Sequence, residues 1–338
     1  MKKQFEEFVL ATEDAGSLPI QDDFDENRAN IDQAIIDKVS VGLDYPCYPQ
    51  LLGSASRPMN MVLQFLIPLS KAIPTIQIKG EEASLVSDDI TETSTTIGVE
   101  RAEYYLGFLR ERGLTQKVKG TKACVTGPFT LASCLDRKDL LRCGASKPNV
   151  VTGLAHILSR SCKRLSGLGF DLVNVDEPFL SVMLGRTILF KYDYRFVVET
   201  LNTLIREISC LSAIHVCGRI TPLVKKVLLE SEVDVVDHEF ARSPSNLHAY
   251  SREELERAEK YVAYGCVSTV HPEVETVEEI SNSLGEALKA FGSRIVVKPD
   301  CGFGALQGMP GAYNIALKKL KNMVEASRIV KASVASGS

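Results

Sequence analysis

The feature that most constrains this chain is a rhythm. Short β-branched or apolar runs recur along its 338 residues, each followed by glycine, proline or an acidic residue. Such runs lie at Phe8–Thr12, Val41–Tyr45, Lys122–Thr126, Asp171–Val175, Ala213–Val216, Val233–Asp237, Tyr261–Cys266 and Arg294–Lys298. Between them, Gly98–Arg112, Val151–Leu168, Phe196–Cys210 and Val277–Phe291 carry helical periodicity. Eight strands separated by helices predict a (β/α)8 barrel, the TIM-barrel architecture of the α/β class, with residues 1–338 as one catalytic barrel. A strand-like piece at Thr75–Lys79, before the polar run Thr91–Thr96, reads as a small excursion between the second and third barrel strands rather than a second domain. Lys331–Ser338 reads as a frayed tail.

Composition narrows the function. A net charge of −4, with no basic cluster interleaved with aromatics, argues against a nucleic-acid partner. No run approaches the roughly 20 apolar residues that span a bilayer, and Met1–Glu7 has no segment of signal-peptide length, so a cytoplasmic, membrane-free protein is expected. The nine cysteines are scattered without disulfide-framework spacing. Cys124, Cys134, Cys143, Cys162, Cys210 and Cys266 read as small buried hydrophobes in a reducing compartment. Cys47 is ambiguous, and only Cys217 and Cys301 have a context that suggests chemistry.

In barrels of this kind, active sites gather where the strands end. Here those ends read Gly16-Ser17, Pro49-Gln50, Gly127-Pro128, Asp176-Glu177-Pro178, His215-Val216-Cys217, His238-Glu239, His271-Pro272 and Pro299-Asp300-Cys301-Gly302. In a strand, residues two apart share a face, so His215 and Cys217 can converge on one point. A nitrogen and a sulfur at that reach suit a zinc-type ion; a strand cysteine beside a hydrogen-bonded histidine is the bland alternative. Cys301 strengthens the metal reading. Glu239 offers a fourth ligand, whereas alternation sends the competing His238 to the opposite face. A mixed nitrogen, sulfur and oxygen set fits a catalytic zinc that activates a thiol as thiolate, and so alkyl transfer to sulfur. Of Asp176 and Glu177, alternation lets one face the mouth, unless it is merely paired at the rim. His271 is either a solvated loop histidine or a proton donor. Ser17, with Gly16, could offer hydroxyl and backbone groups to a substrate carboxylate.

These residues, together with Ala15-Gly16-Ser17-Leu18-Pro19, Thr126-Gly127-Pro128, Glu239-Phe240-Ala241-Arg242-Ser243 and Val270-His271-Pro272, resemble the catalytic C-terminal barrel of cobalamin-independent methionine synthase. The wider superfamily includes uroporphyrinogen decarboxylase and zinc methyltransferases acting on coenzyme M. The resemblance runs from about Thr12 to about Val330. It implies that His215, Cys217, Glu239 and Cys301 are zinc ligands, that Ser17 and its neighbours hold the homocysteine carboxylate, that Asp176 holds its amino group, and that His271 delivers a proton to a departing folate nitrogen. Two departures stand out. The long members carry a further N-terminal barrel, so this chain resembles the short core form, which takes methyl from a methylcorrinoid, free or on a corrinoid protein; a methyl-pterin, whose departing nitrogen His271 would protonate, stays open as the donor. Gln50 stands where the long enzymes have a glutamate, and a neutral amide cannot pair with an ammonium. Asp176, Glu13 or Asp14 could supply the charge. Methylation of another thiol such as coenzyme M, metal-free decarboxylation of the uroporphyrinogen type, and a purely structural zinc are the competing readings.

Overall fold

Six of the eight expected strands are regular. In the computed structural model, which describes residues 8–20, 28–50, 53–54, 57–58, 60–80, 82–88, 90, 94 and 96–337, they are β1 (Lys122–Thr126), β2 (Leu172–Asp176), β3 (Leu211–Val216), β4 (Val235–Glu239), β5 (Tyr261–Gly265) and β6 (Ile295–Lys298). They form one parallel sheet in chain order. Helices α1 (Arg28–Ser40), α2 (Glu100–Glu111), α3 (Pro148–Leu168), α4 (Tyr194–Ile205), α5 (Pro222–Glu230), α6 (Val277–Phe291) and α7 (Ala312–Gly337) accompany them.

The first two barrel positions differ from expectation. Phe8–Thr12 and Val41–Tyr45 form no ladder; they are joined by isolated backbone bonds and by single parallel bridges at or just past their ends, Thr12 to Val297, Glu13 to Tyr45 and Cys47 to Lys122. These bridges link both edges of the six-stranded sheet and complete the eight-position ring. Side chains do part of the joining between the first two positions. Asp44 Oδ2 accepts from the Thr12 amide at 2.9 Å, and the Asp44 amide donates to Thr12 Oγ1 at 3.0 Å.

The excursion is a hairpin, Ile76–Lys79 paired antiparallel with Glu82–Leu85, preceded by the helix Leu63–Ala72. The polar run Thr91–Thr96 lies largely outside the described residues. Helix boundaries follow local chemistry. Pro148 occupies the first turn of α3 and Gly169 closes it at φ 102°. Thr276 and Glu279 form a capping box on α6. The tail expected to fray is helical as far as Gly337, although residues 331–336 are exposed. Among the described residues no helix is long and apolar enough to cross a membrane.

Period-two alternation divides every strand between two environments. Outward side chains such as Val125, Val173, Val175, Ile214, Val236 and Val262 join the large core beneath the helices. The inward ones stack in layers. At the bottom, Phe8, Ala11, Tyr45, Leu172, Leu211, Ala213, Val235, Ala263 and Val296 form an apolar plug, with Phe8 and Tyr45 stacked 4.4 Å apart. One step higher the interior becomes charged: Glu13, Lys122, Asp237 and Lys298 are all at most 1% exposed. Above that layer the strands end.

Candidate metal and substrate site

His215 is the next inward residue after Ala213 on β3, and the alternation that buries Ala213 carries the imidazole to the barrel mouth. Its Nδ1 lies 2.7 Å from Asp237 Oδ1 on the neighbouring β4. Its Nε2 faces two sulfurs, Cys217 at 3.0 Å and Cys301 at 3.3 Å, which stand 3.2 Å from each other. Among the described residues, these three form the group of potential ligand atoms lying mutually within 4.8 Å. A sulfur separation of 3.2 Å is far beyond the roughly 2.05 Å of a disulfide, and all nine cysteines are free.

The group fits zinc. Tetrahedral ligation with Zn–S near 2.3 Å and Zn–N near 2.05 Å separates two sulfurs by about 3.8 Å and nitrogen from sulfur by about 3.6 Å. The three atoms need spread by only about half an ångström to meet that geometry. Electrostatics favour one thiolate of the pair. Cys301 is held well below the usual thiol range, first by the S–H that Cys217 donates and then by His215, while Cys217 is pushed up. Burial opposes charge on His215, but the Asp237 carboxylate outweighs it and raises the imidazole to about 10.

Glu239, expected as the fourth ligand, lies outside this close group. It is buried, accepts from Ser243 Oγ at 2.7 Å, and has Arg242 3.9 Å from its other oxygen. His238 behaves as alternation requires: it points outward, bonded to the Val216 carbonyl and the Tyr250 hydroxyl, and burial lowers it to about 4.

The substrate loop comes to the same mouth. Ser17 pairs with Gln50 across the first two barrel positions, and its carbonyl accepts from the Phe303 amide at 3.0 Å. A Cβ on Gly302 would sit 2.4 Å from Ser17 Oγ, so glycine is what lets the Cys301 turn close against Ser17. Lys38 of α1 braces Ala15–Ser17 from below, reaching Asp14, the Gly16 carbonyl and the Cys47 carbonyl. Gln50 is buried, with Nε2 3.5 Å from Tyr48 Oη.

Asp176 sits opposite His215 in the β2–β3 register, accepts from Asn174 Nδ2 at 2.6 Å, and is raised to about 6, chiefly by burial. Glu177 turns away and caps the helix Pro128–Ser133, accepting from the Phe129 and Thr130 amides and Thr130 Oγ1. Glu13 and Asp14, the other possible sources of negative charge, are engaged by Lys122 and Lys38. His271 occupies an exposed loop beyond β5. The reading of the sequence missed the charged layer beneath the site. Its signal was there: Asp237 follows the apolar Val235-Val236 and Lys298 is the lone charge of Ile295–Lys298, both on the inward register.

The chain is similar to several known proteins. Residues 82–329 match the family model for the catalytic domain of cobalamin-independent synthase. A methionine synthase of Methanothermobacter thermautotrophicus is 30% identical over 90% of both chains. One from Methanocaldococcus jannaschii is 30% identical over 62% of this chain and 65% of its own. Among solved structures, a B12-independent methionine synthase from Shewanella superimposes with a TM-score of 0.69 over 97% of this chain and 99% of that one. At 19% identity, that likeness speaks for the fold alone.

Proposed function

The chain belongs to the cobalamin-independent synthase catalytic-domain family and is a methyltransferase acting on a thiol; from that premise we propose that it methylates homocysteine to methionine at a zinc site built on His215, Cys217 and Cys301. The convergence of one imidazole nitrogen and two sulfurs at the strand ends carries the reading. Zinc held there would supply stabilisation of the substrate sulfur as thiolate at neutral pH. Glu239, outside that close group, would complete the set as a carboxylate, the hardest donor of the four and so the one held least tightly beside the sulfurs.

The remaining groups bind and orient. The Ser17 hydroxyl and the amides of Ala15 and Ser17 receive the substrate carboxylate, the Gly16 amide being taken by Asp14; Gln50 stands beside them, and Asp176 takes the ammonium. With the amino acid fixed at both ends, displacement at the methyl group becomes effectively unimolecular. The donor is a methylcorrinoid, free or on a partner protein, or a methyl-pterin. A departing pterin nitrogen needs a proton, which His271 would deliver; a departing cobalt(I) corrinoid needs none. One barrel spanning the chain suffices for this chemistry.

A second acceptor is favoured by a specific observation. Gln50 is neutral, and Glu13 and Asp14 are bound to lysines, so Asp176 is left as the carboxylate for an ammonium. A thiol without an ammonium, such as coenzyme M, therefore competes with homocysteine. The deciding experiment crosses methylcobalamin and an N-methyl pterin against both thiols, with zinc quantified in the same preparation. Methylated homocysteine and bound zinc are expected, and Cys301→Ser should lose both. Full zinc and full turnover in that variant would refute the site.

A further inference from the structure

One layer below His215, four charged side chains touch in series inside the barrel. Lys122 Nζ is 2.8 Å from Glu13 Oε1 and 3.8 Å from Asp237 Oδ2, and Lys298 Nζ is 2.7 Å from Asp237 Oδ1. Burying charges in this way is costly even when they are paired, and well-packed apolar residues often do as well or better for stability. A barrel needing only a filled interior would use apolar side chains, as the layer beneath does.

Lys298 has the most specific contacts of the four. It donates to Asp237 Oδ1, the same oxygen that His215 Nδ1 approaches, and to the carbonyl of Asp300 at 2.9 Å, one residue before Cys301. A single ammonium thus joins the support of the nitrogen donor to the support of a sulfur donor, although these stand on β3 and beyond β6. The Asp300 carboxylate extends the frame. It accepts from the Phe240, Ala241 and Arg242 amides and so fixes the turn after Glu239.

We infer that Asp237 and Lys298 are positioning residues for a divalent, zinc-type ion. Asp237, an acceptor only, holds His215 with its hydrogen on Nδ1 and the Nε2 lone pair toward the sulfurs. Lys298 sets the spacing between that nitrogen and Cys301. This assignment rests on His215, Cys217 and Cys301 being metal ligands. Carboxylates that orient a ligating histidine typically change metal affinity about 10–100-fold when lost.

The test uses the full chain and charge-balanced double variants, which spare the barrel an unpaired buried ion. Lys298→Met/Asp237→Asn should weaken zinc binding about 10–100-fold in chelator competition, and should alter the sulfur-to-cobalt absorption of the Co(II)-loaded protein. Lys122→Met/Glu13→Gln, from the same layer, touches neither His215 nor the Asp300 carbonyl and reaches the support only through the 3.8 Å approach of Lys122 to Asp237, so it should shift both readouts far less than the first pair. Equal zinc affinity and an unchanged cobalt spectrum in a folded Lys298→Met/Asp237→Asn protein would overturn the assignment. A measurement on the unaltered chain guards against misfolding: nitrogen NMR of the cadmium-loaded protein should show His215 bound through Nε2 and protonated at Nδ1, and binding through Nδ1 would overturn it. A wild-type chain that takes up no zinc would refute the metal reading itself, and this assignment with it.

Discussion

Lowering the pH should weaken amino-acid binding through one group, Asp176. Its carboxyl is raised to about 6, first by burial and against the pull of His215 and Lys122. If the substrate ammonium needs the ionised form, the apparent KM scales as one plus the ratio of protonated to ionised carboxyl in the free enzyme. With the carboxyl at about 6, that factor is about 1.1 at pH 7 and about 11 at pH 5, a tenfold rise. An aspartate near 3.9 would change it by less than about 10% over the same range. The sign for stability is opposite. Between 3.8 and about 6 the folded chain holds this proton while the unfolded chain has lost it, so acid stabilises the fold through Asp176, on the order of 3 kcal/mol in total. Weaker binding and a stabilising contribution should therefore coincide, which acid unfolding cannot mimic. Calorimetric titration with methionine, which has no thiol to titrate, checks this with zinc verified at every pH. Asp176→Asn should bind more weakly and with little pH dependence. A flat wild-type affinity from pH 7 to 5, or an equally steep Asp176→Asn profile, would refute the reasoning.

Two further expectations follow from the same geometry. Gly127→Ala would place a Cβ 2.2 Å from Glu177 Oε1, displacing a carboxylate that accepts three hydrogen bonds; denaturant melts should show a loss of at least about 2 kcal/mol with zinc content retained. A melt superimposable on wild type would mean that the cap yields freely. His271→Gln should spare turnover with methylcobalamin and lower it about 10²-fold with an N-methyl pterin; a comparable loss with both donors would remove the proton-delivery role.

Six strand positions were legible because their apolar runs are buried on both faces, as parallel strands with helices outside must be. The first two misled for a physical reason. Phe8 and Tyr45 are apolar because they plug the barrel floor, and pairing there is by single bridges, with the Asp44 and Thr12 side chains taking up amides that a regular ladder would bond to backbone. His215, Cys217 and Cys301 were readable from spacing and strand-end position. Glu239 was only half readable: alternation gives its face, but its bond to Ser243 is tertiary. The roles of Glu13 and Asp14 were hidden for the same reason, since their lysine partners lie 109 and 24 residues away.

The seam between the first two barrel positions has a consequence for how the protein breathes. Among the described residues, three backbone bonds cross it and three more amides donate to the side chains of Thr12, Asp14 and Asp44, so it is a joint that can loosen without unzipping a regular ladder. Ala15–Ser17 and Gln50 lie along that same seam. An amino acid seated there would act as a rivet, and occupancy of the pocket would lock the whole ring shut.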